Sequence, residues 1–253
     1  MKKADVNCLL GHWPFRKIHK NTFEDLKRVH SNNGISYGYV SSINSIFYND
    51  PFEGEEELHE IIKDSDYKHI LTVNPTLPHY TEDIQNAINL FDIKGVRIYP
   101  GLHGYKLDSR YANNLCSLLR NLGLPLFLTT RLEDERLNYI MHPQAPSVDE
   151  LSIFINNNPT NTILLLNICY DEIIGLKDNI NSHSNVFCDT SGLRHYLFIM
   201  EKLLKDINAD KIVYGSLHPL YCLKSTMLLI EKAQIDKSVK EKILGANADF
   251  LLK

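Results

Sequence analysis

The chain has few cysteines and no cysteine pattern. Its five, Cys8, Cys116, Cys169, Cys188 and Cys222, are odd in number and no two stand at CxxC spacing. That argues against a disulfide framework and against a thiolate zinc site, and it fits buried thiols in a reducing cytoplasm. No GxGxxG comes after the first strand-like run and no GxxxxGK[ST] occurs anywhere, which removes the main nucleotide-binding alternatives. Positive charge is not in excess: 27 Lys and Arg stand against 31 Asp and Glu, a formal net charge of -4. With no basic cluster either, neither nucleic acid nor an anionic membrane is an expected partner. Long apolar runs are missing too, and stretches such as 163–166 are far too short to cross a bilayer. The opening Met1-Lys2-Lys3 looks like an n-region, but Asp5 and Asn7 place polar groups directly after it. No apolar h-region develops, so the expectation is a cytoplasmic protein without a signal peptide.

What is present is alternation. Eight short apolar runs occur at 6–10, 35–41, 70–73, 96–99, 126–129, 163–168, 186–188 and 212–214. Between them lie segments with apolar residues at helical spacing, such as Ile84, Ala87, Ile88 and Phe91. Leu115, Leu118, Leu119 and Leu122 repeat the pattern, as do Met200, Leu203, Leu204 and Ile207. Ser147 with Glu150 and Ser238 with Glu241 read as capping boxes, and the acidic run 53–57 reads as a solvated helix start. Strands alternating with helices call for a parallel sheet covered by helices. Eight such units predict an α/β fold, a (β/α)8 TIM barrel with room for distortion. No repeat, low-complexity tract or linker divides residues 1–253, so one barrel domain is expected.

In such a barrel, function sits at the C-terminal ends of the strands and in the loops beyond them. The fourth run puts Arg97 in mid-strand, then breaks at Pro100 and Gly101 and delivers His103 and Tyr105 into a loop. The first is succeeded by Gly11, His12, Trp13 and Arg16, and the fifth by Arg131, Glu133, Asp134, Glu135 and Arg136. Asn167, Asp189 and His218 end the sixth, seventh and eighth units. Arginines and histidines gathered on one rim suit a carboxylate or other anionic small molecule. Each has a bland alternative. Trp13 serves as core packing or as a substrate platform, and Arg97 binds a ligand or pairs with Glu133 or Asp189. The run 131–136 is a site or a solvated loop, and each histidine is a rim group or a structural one.

Four stretches together resemble a known family. Asp5-Val6-Asn7 with Gly11, Lys94-Gly95-Val96-Arg97, Ile212-Val213-Tyr214-Gly215-Ser216 with Pro219, and the tail Ile243-Leu244-Gly245-Ala246-Asn247-Ala248 occur in order. This is similar to the amidohydrolase-related (amidohydrolase 2) branch of the metal-dependent hydrolases. The resemblance implies a TIM barrel and one or two divalent metals, usually zinc, held by histidines and a closing aspartate. At the matching positions this chain has Asn7, Leu9, Thr129 and Thr130, Asn167 and Leu217, so the inherited ligands are absent. Leucine cannot ligate a metal, and neutral amides are poor zinc ligands. Gly11–Arg16, Gly95–Tyr105 and Arg131–Arg136 match a subgroup with the same departures.

The expectation is therefore a hydrolase of a small polar or carboxylated substrate, its degenerate site free of metal and without a cofactor. His103 and His218 serve as general acid and base, and Arg16, Arg97, Tyr105 and Arg131 hold the substrate. A variant keeps a relocated metal on His12, His103, His218 and Asp189. The alternative is a barrel that binds a small molecule without turning it over. Phe47, Tyr48 and Phe52 are candidates for a homo-oligomer contact, or for a lid or ordinary packing.

Overall fold

All eight expected runs contain strands in the computed structural model, which describes residues 2–133, 143–194 and 198–250. They are β1 (Lys3–Leu10), β2 (Ile35–Ser42), β3 (Lys68–His69), β4 (Leu71–Thr72), β5 (Val96–Ile98), β6 (Leu126–Thr129), β7 (Ile163–Leu166), β8 (Val186–Asp189) and β9 (Ile212–Val213). The third run is the one that differs: it starts early, at Lys68, and Ile70 splits it into β3 and β4. Every pairing is parallel, in the order β1-β2-β3 and β4 through β9.

The ladder falls into two sheets, and isolated backbone bonds carry the chain across both seams. Ile70 N–H donates to Val40 O at 2.9 Å. On the other side Val6 N–H donates to Tyr214 O at 2.9 Å, Leu217 N–H to Asn7 O at 2.8 Å, and Leu9 N–H to His218 O at 2.8 Å. The result is the expected (β/α)8 arrangement in distorted form.

The intervening helices obey the apolar periodicity. Tyr80–Phe91 buries Ile84, Ala87 and Phe91, and Arg110–Leu122 buries Ala112, Leu115, Cys116 and Leu119. Ser147 caps Val148–Asn157 by accepting from Glu150 N–H, but the Glu150 carboxylate turns to Leu107 N–H at 2.6 Å, so half of that box forms. The second box does not form: Asp236 is the N-cap of Lys237–Glu241, and Ser238 lies inside the helix. The acidic run opens the helix Pro51–Ile62 with Glu53, Glu56 and Glu57 exposed as expected, and one residue departs from that pattern. Glu55 is fully buried, 2.6 Å from His69 Nε2, and accepts from Thr72 N–H at 3.1 Å. A partner across the strand seam outweighs hydration here, because a buried carboxylate is tolerated when it is paired and hydrogen-bonded.

Three apolar layers set the position of the site. The largest cluster packs the outer strand faces against helices. Inside the ring, Tyr37, Tyr39, Ile70, Phe127, Leu164 and Phe187 belong to a second cluster that fills its lower part. A third, with Leu9, Trp13, Ile43, Tyr99 and Leu217, caps the C-terminal end. Among the described residues no helix is long and apolar enough to cross a membrane.

Candidate active site at the barrel mouth

Between the lower and upper apolar layers the strands contribute polar side chains. Arg97, in β5, is 1% exposed and donates through Nε to Thr129 Oγ1 at 2.8 Å and through Nη2 to Asn7 Oδ1 at 2.9 Å. Asn7 Nδ2 then donates to Asp189 Oδ2 at 2.8 Å and to Ser191 Oγ at 3.2 Å. Asp189 Oδ1 accepts from Asn167 N–H at 2.8 Å. The network orients the Asn7 amide, because its oxygen must face a guanidinium and its nitrogen a carboxylate. Arg97 thus reaches Asp189 through Asn7, and Glu133, the other partner considered for it, binds Arg16 instead.

Burial of this kind changes proton affinity. Burial lifts the Asp189 carboxyl from its ordinary 3.8 to about 6, against the pull of the Asn7, Ser191 and Asn167 hydrogen bonds and the Arg97 charge. Its neighbour Gly215 is glycine for a steric reason. A Cβ there would lie 2.3 Å from Asp189 Oδ2 and 2.9 Å from Asn7 Cβ. Above the network the Trp13 indole N–H is buried and unpartnered, and the buried Tyr99 hydroxyl lies beside those of Ser41 and Thr72. Arg97 itself leaves Nη1 without a hydrogen bond among the described residues, while its guanidinium lies 5.2 Å from the Tyr99 ring centre.

The other expected site residues are distributed around this centre. His103 ends a short helix, Pro100–His103, with its ring edge-on to Tyr99 at 5.9 Å and Nδ1 unpartnered. Burial lowers its pKa to about 4, only partly offset by a backbone contact to Ile46, so the imidazole is neutral at pH 7. His218 is buried, and its Nε2–H donates to Lys20 O at 2.9 Å, which leaves Nδ1 as the basic nitrogen. Arg16 bridges Glu133 Oε1 at 3.1 Å and Leu220 O at 3.0 Å, tying three loops together. Arg131 forms a fork with Glu172 at 2.8 and 2.5 Å and bonds Asn167 O at 3.3 Å. Tyr105 packs against the outer core, its buried hydroxyl near Cys116, away from Arg97. Trp13 is core, 3% exposed, in edge-on contact with Phe15 and Phe47. His12 is exposed, and Asp134, Glu135 and Arg136 lie outside the described residues.

Two groups escaped sequence reasoning. Arg194 Nη1 bonds Asn167 Oδ1 and Ser191 O, and its guanidinium stacks on Tyr221 at 3.2 Å. The run Asp189-Thr190-Ser191-Gly192-Leu193-Arg194 after the seventh unit was its only signal. The second is Asp5, Cys8 and His30, whose ligand atoms all lie within 4.8 Å of one another and are fully buried.

These observations bear on the metal. At the mouth Leu9 and Leu217 pack in the apolar cap and offer no ligand atom, and Asn7 Oδ1 accepts from the Arg97 guanidinium. Nor do His12, His103, His218 and Asp189 form the relocated cluster, since none belongs to the metal-capable group found among the described residues. The expectation of no cofactor nevertheless requires correction. A carboxyl, a cysteine thiol and an imidazole converge at Asp5, Cys8 and His30, residue types that together can ligate a transition metal. A solved structure of the same fold also holds manganese.

No family model matches the sequence, and no curated protein sequence matches it. Solved structures do match over the whole length. A protein from Staphylococcus aureus assigned to the amidohydrolases superposes with a TM-score of 0.76 at 13% identity, covering 100% of this chain and 99% of that one. The 2,6-dihydroxybenzoate decarboxylase from Rhizobium gives 0.71 at 14% identity, with 99% and 98% covered. A dihydroxybenzoic acid decarboxylase from Polaromonas, solved with manganese and the inhibitor 2-nitroresorcinol, gives 0.73 at 13% identity, with 99% and 96% covered. At such identities the fold is what is shared: a TIM barrel, as in the Bordetella bronchiseptica TIM-barrel protein that superposes with a TM-score of 0.74 at 15% identity, covering 100% of this chain and 98% of that one.

Proposed function

We propose that the chain is a small-molecule enzyme of the amidohydrolase-related family, a hydrolase or lyase acting on a small carboxylated compound at the barrel mouth. The observation that carries this reading is Arg97. A guanidinium buried at the C-terminal ends of the strands, with Nη1 unspent, is a carboxylate receptor. The apolar cap with Tyr99 and Trp13 suits the ring or chain that bears the carboxylate. Solved structures with this fold act on dihydroxybenzoates, which are acids of that kind.

Asp189, poised near 6, is the group best placed to exchange a proton close to neutral pH. His103 and His218, both with pKa lowered by burial, are the imidazoles this reading offers as acid and base at the rim, His103 beside Tyr99 and His218 bonded to Lys20 O. Arg16 and Arg131 act by holding the loops around the substrate, and Tyr105 supports the β5 loop from outside. A second reading, binding without turnover, draws on Leu9 and Leu217, which put apolar packing where relatives of the family keep ligands.

A panel of hydroxybenzoates, small aromatic esters and lactones, assayed for carbon dioxide release and for acid production, separates the two. The enzyme reading expects turnover that Arg97→Met abolishes and Asp189→Asn reduces at least 100-fold. Binding with no turnover by the wild type would favour the second reading, and neither binding nor turnover would reject both.

A further inference from the structure

The group at Asp5, Cys8 and His30 lies on the far side of β1 from the mouth network. Strand alternation alone would send Asp5 and Cys8 to opposite faces, because they are three residues apart. The pairing of β1 with β2 contains an irregularity between Asp5 and Cys8, where three steps on β1 match two on β2, Asp5 to Gly38 and Cys8 to Val40. That bulge resets the alternation and brings both side chains to the outer face. There the helix Phe23–Asn32 presents His30. We propose that these three residues form a transition-metal site of the zinc class, structural in role, fastening β1 to that helix.

The geometry is the first argument. His30 Nε2 lies 3.4 Å from Asp5 Oδ2 and 3.7 Å from Cys8 Sγ. Ligand atoms placed tetrahedrally about 2.0–2.3 Å from a zinc ion are separated by roughly 3.3–3.8 Å. The second argument is an orphan. Asp5 is fully buried, and its Oδ2 makes no hydrogen bond, although His30 stands at that distance. A carboxylate oxygen left so in the interior is costly, and a cation between it and the imidazole removes the cost.

The surroundings hold the three ligands as outer partners do in metal sites. The other oxygen, Asp5 Oδ1, accepts from Asn7 N–H at 3.1 Å and Ser216 N–H at 3.0 Å. The other imidazole nitrogen, His30 Nδ1, meets the Tyr67 hydroxyl at 2.9 Å; with Nδ1–H donating to that oxygen, Nε2 is left for the metal. Gly38 forms the floor: a Cβ there would lie 2.8 Å from Cys8 Sγ and 3.0 Å from His30 Cε1. Carboxylate, thiolate and neutral imidazole together balance a divalent cation. On binding, the Cys8 thiol releases its proton to solvent, so affinity rises with pH.

The test starts with protein expressed in zinc-supplemented medium and purified without chelator, analysed for metal by mass spectrometry. About one equivalent of zinc is expected, falling below about a tenth in Cys8→Ser and in His30→Gln. Reconstitution of metal-depleted wild type with cobalt provides a readout independent of those variants folding. A thiolate-to-cobalt charge-transfer band is expected, and it persists in Cys169→Ser and Cys222→Ser. Added zinc should also raise the Tm of depleted wild type. Wild type that holds no metal and shows neither the band nor the Tm shift overturns the proposal, leaving a hydrogen-bonded cluster only. So does metal content unchanged in both variants.

Discussion

Asp189 should make the stability of this protein fall as pH rises through the acid range. Its carboxyl titrates near 3.8 when unfolded and near 6 when folded. The folded state therefore binds the extra proton between those values, and the stabilisation present below pH 3.8 is lost as pH rises through about 6. The difference corresponds to about 3 kcal/mol, a substantial share of a typical domain's stability. A single wild-type curve hides this effect. His103 is displaced the other way, from 6.5 to about 4, so the unfolded state binds its proton first. Its contribution is present above pH 6.5 and is lost as pH falls towards 4, again about 3 kcal/mol. His59 and His218, both lowered by burial, add to the same side. The informative quantity is thus the difference between wild type and Asp189→Asn in urea unfolding monitored by circular dichroism from pH 4 to pH 8. The wild type should lose about 2.5 kcal/mol relative to the variant over that range, the rest of the difference lying below pH 4. Aspartate and asparagine differ in hydrogen bonding to Asn7, which displaces the whole curve but does not tilt it. A difference that stays level, or rises with pH, refutes the reading of a buried, raised carboxyl.

Gly215→Ala should be strongly destabilising, by about 2 kcal/mol or more, because its Cβ meets Asp189 Oδ2 at 2.3 Å inside a filled barrel; denaturant unfolding reads this directly. Glu55→Ala should cost about 3–5 kcal/mol, since it strands the buried His69 and Thr72 N–H, and an unchanged midpoint would contradict that pairing. Arg131→Lys should weaken the fork to Glu172, whose carboxyl, pushed up by burial, is held below its ordinary value by the Arg131 bonds. Its Glu172 titration, monitored by NMR, should move upward.

The strands were legible because all but β3, the polar pair Lys68–His69, overlap a short apolar run between helical periods. Arg97 in mid-strand and Asp189 at a strand end were legible as polar side chains carried by barrel strands. What bound them together was not. Asn7 read as a missing metal ligand, whereas it is the amide that couples Arg97 to Asp189. The Asp5, Cys8 and His30 group depends on a bulge in β1 and on a helix residue more than twenty positions away, and neither leaves a spacing signature. Glu55 looked solvated because its partner His69 stands across a strand seam that local sequence does not encode.

The central claim is that Arg97 receives a carboxylate at the barrel mouth. Isothermal titration of 2-hydroxybenzoate into wild type, Arg97→Lys and Arg97→Met, at fixed pH and salt, tests it most directly. Charge-assisted hydrogen bonds of about 1.5–3 kcal/mol predict a Kd raised roughly 10- to 100-fold in Arg97→Met, with Arg97→Lys between. Equal affinity in folded wild type and Arg97→Met would contradict the account.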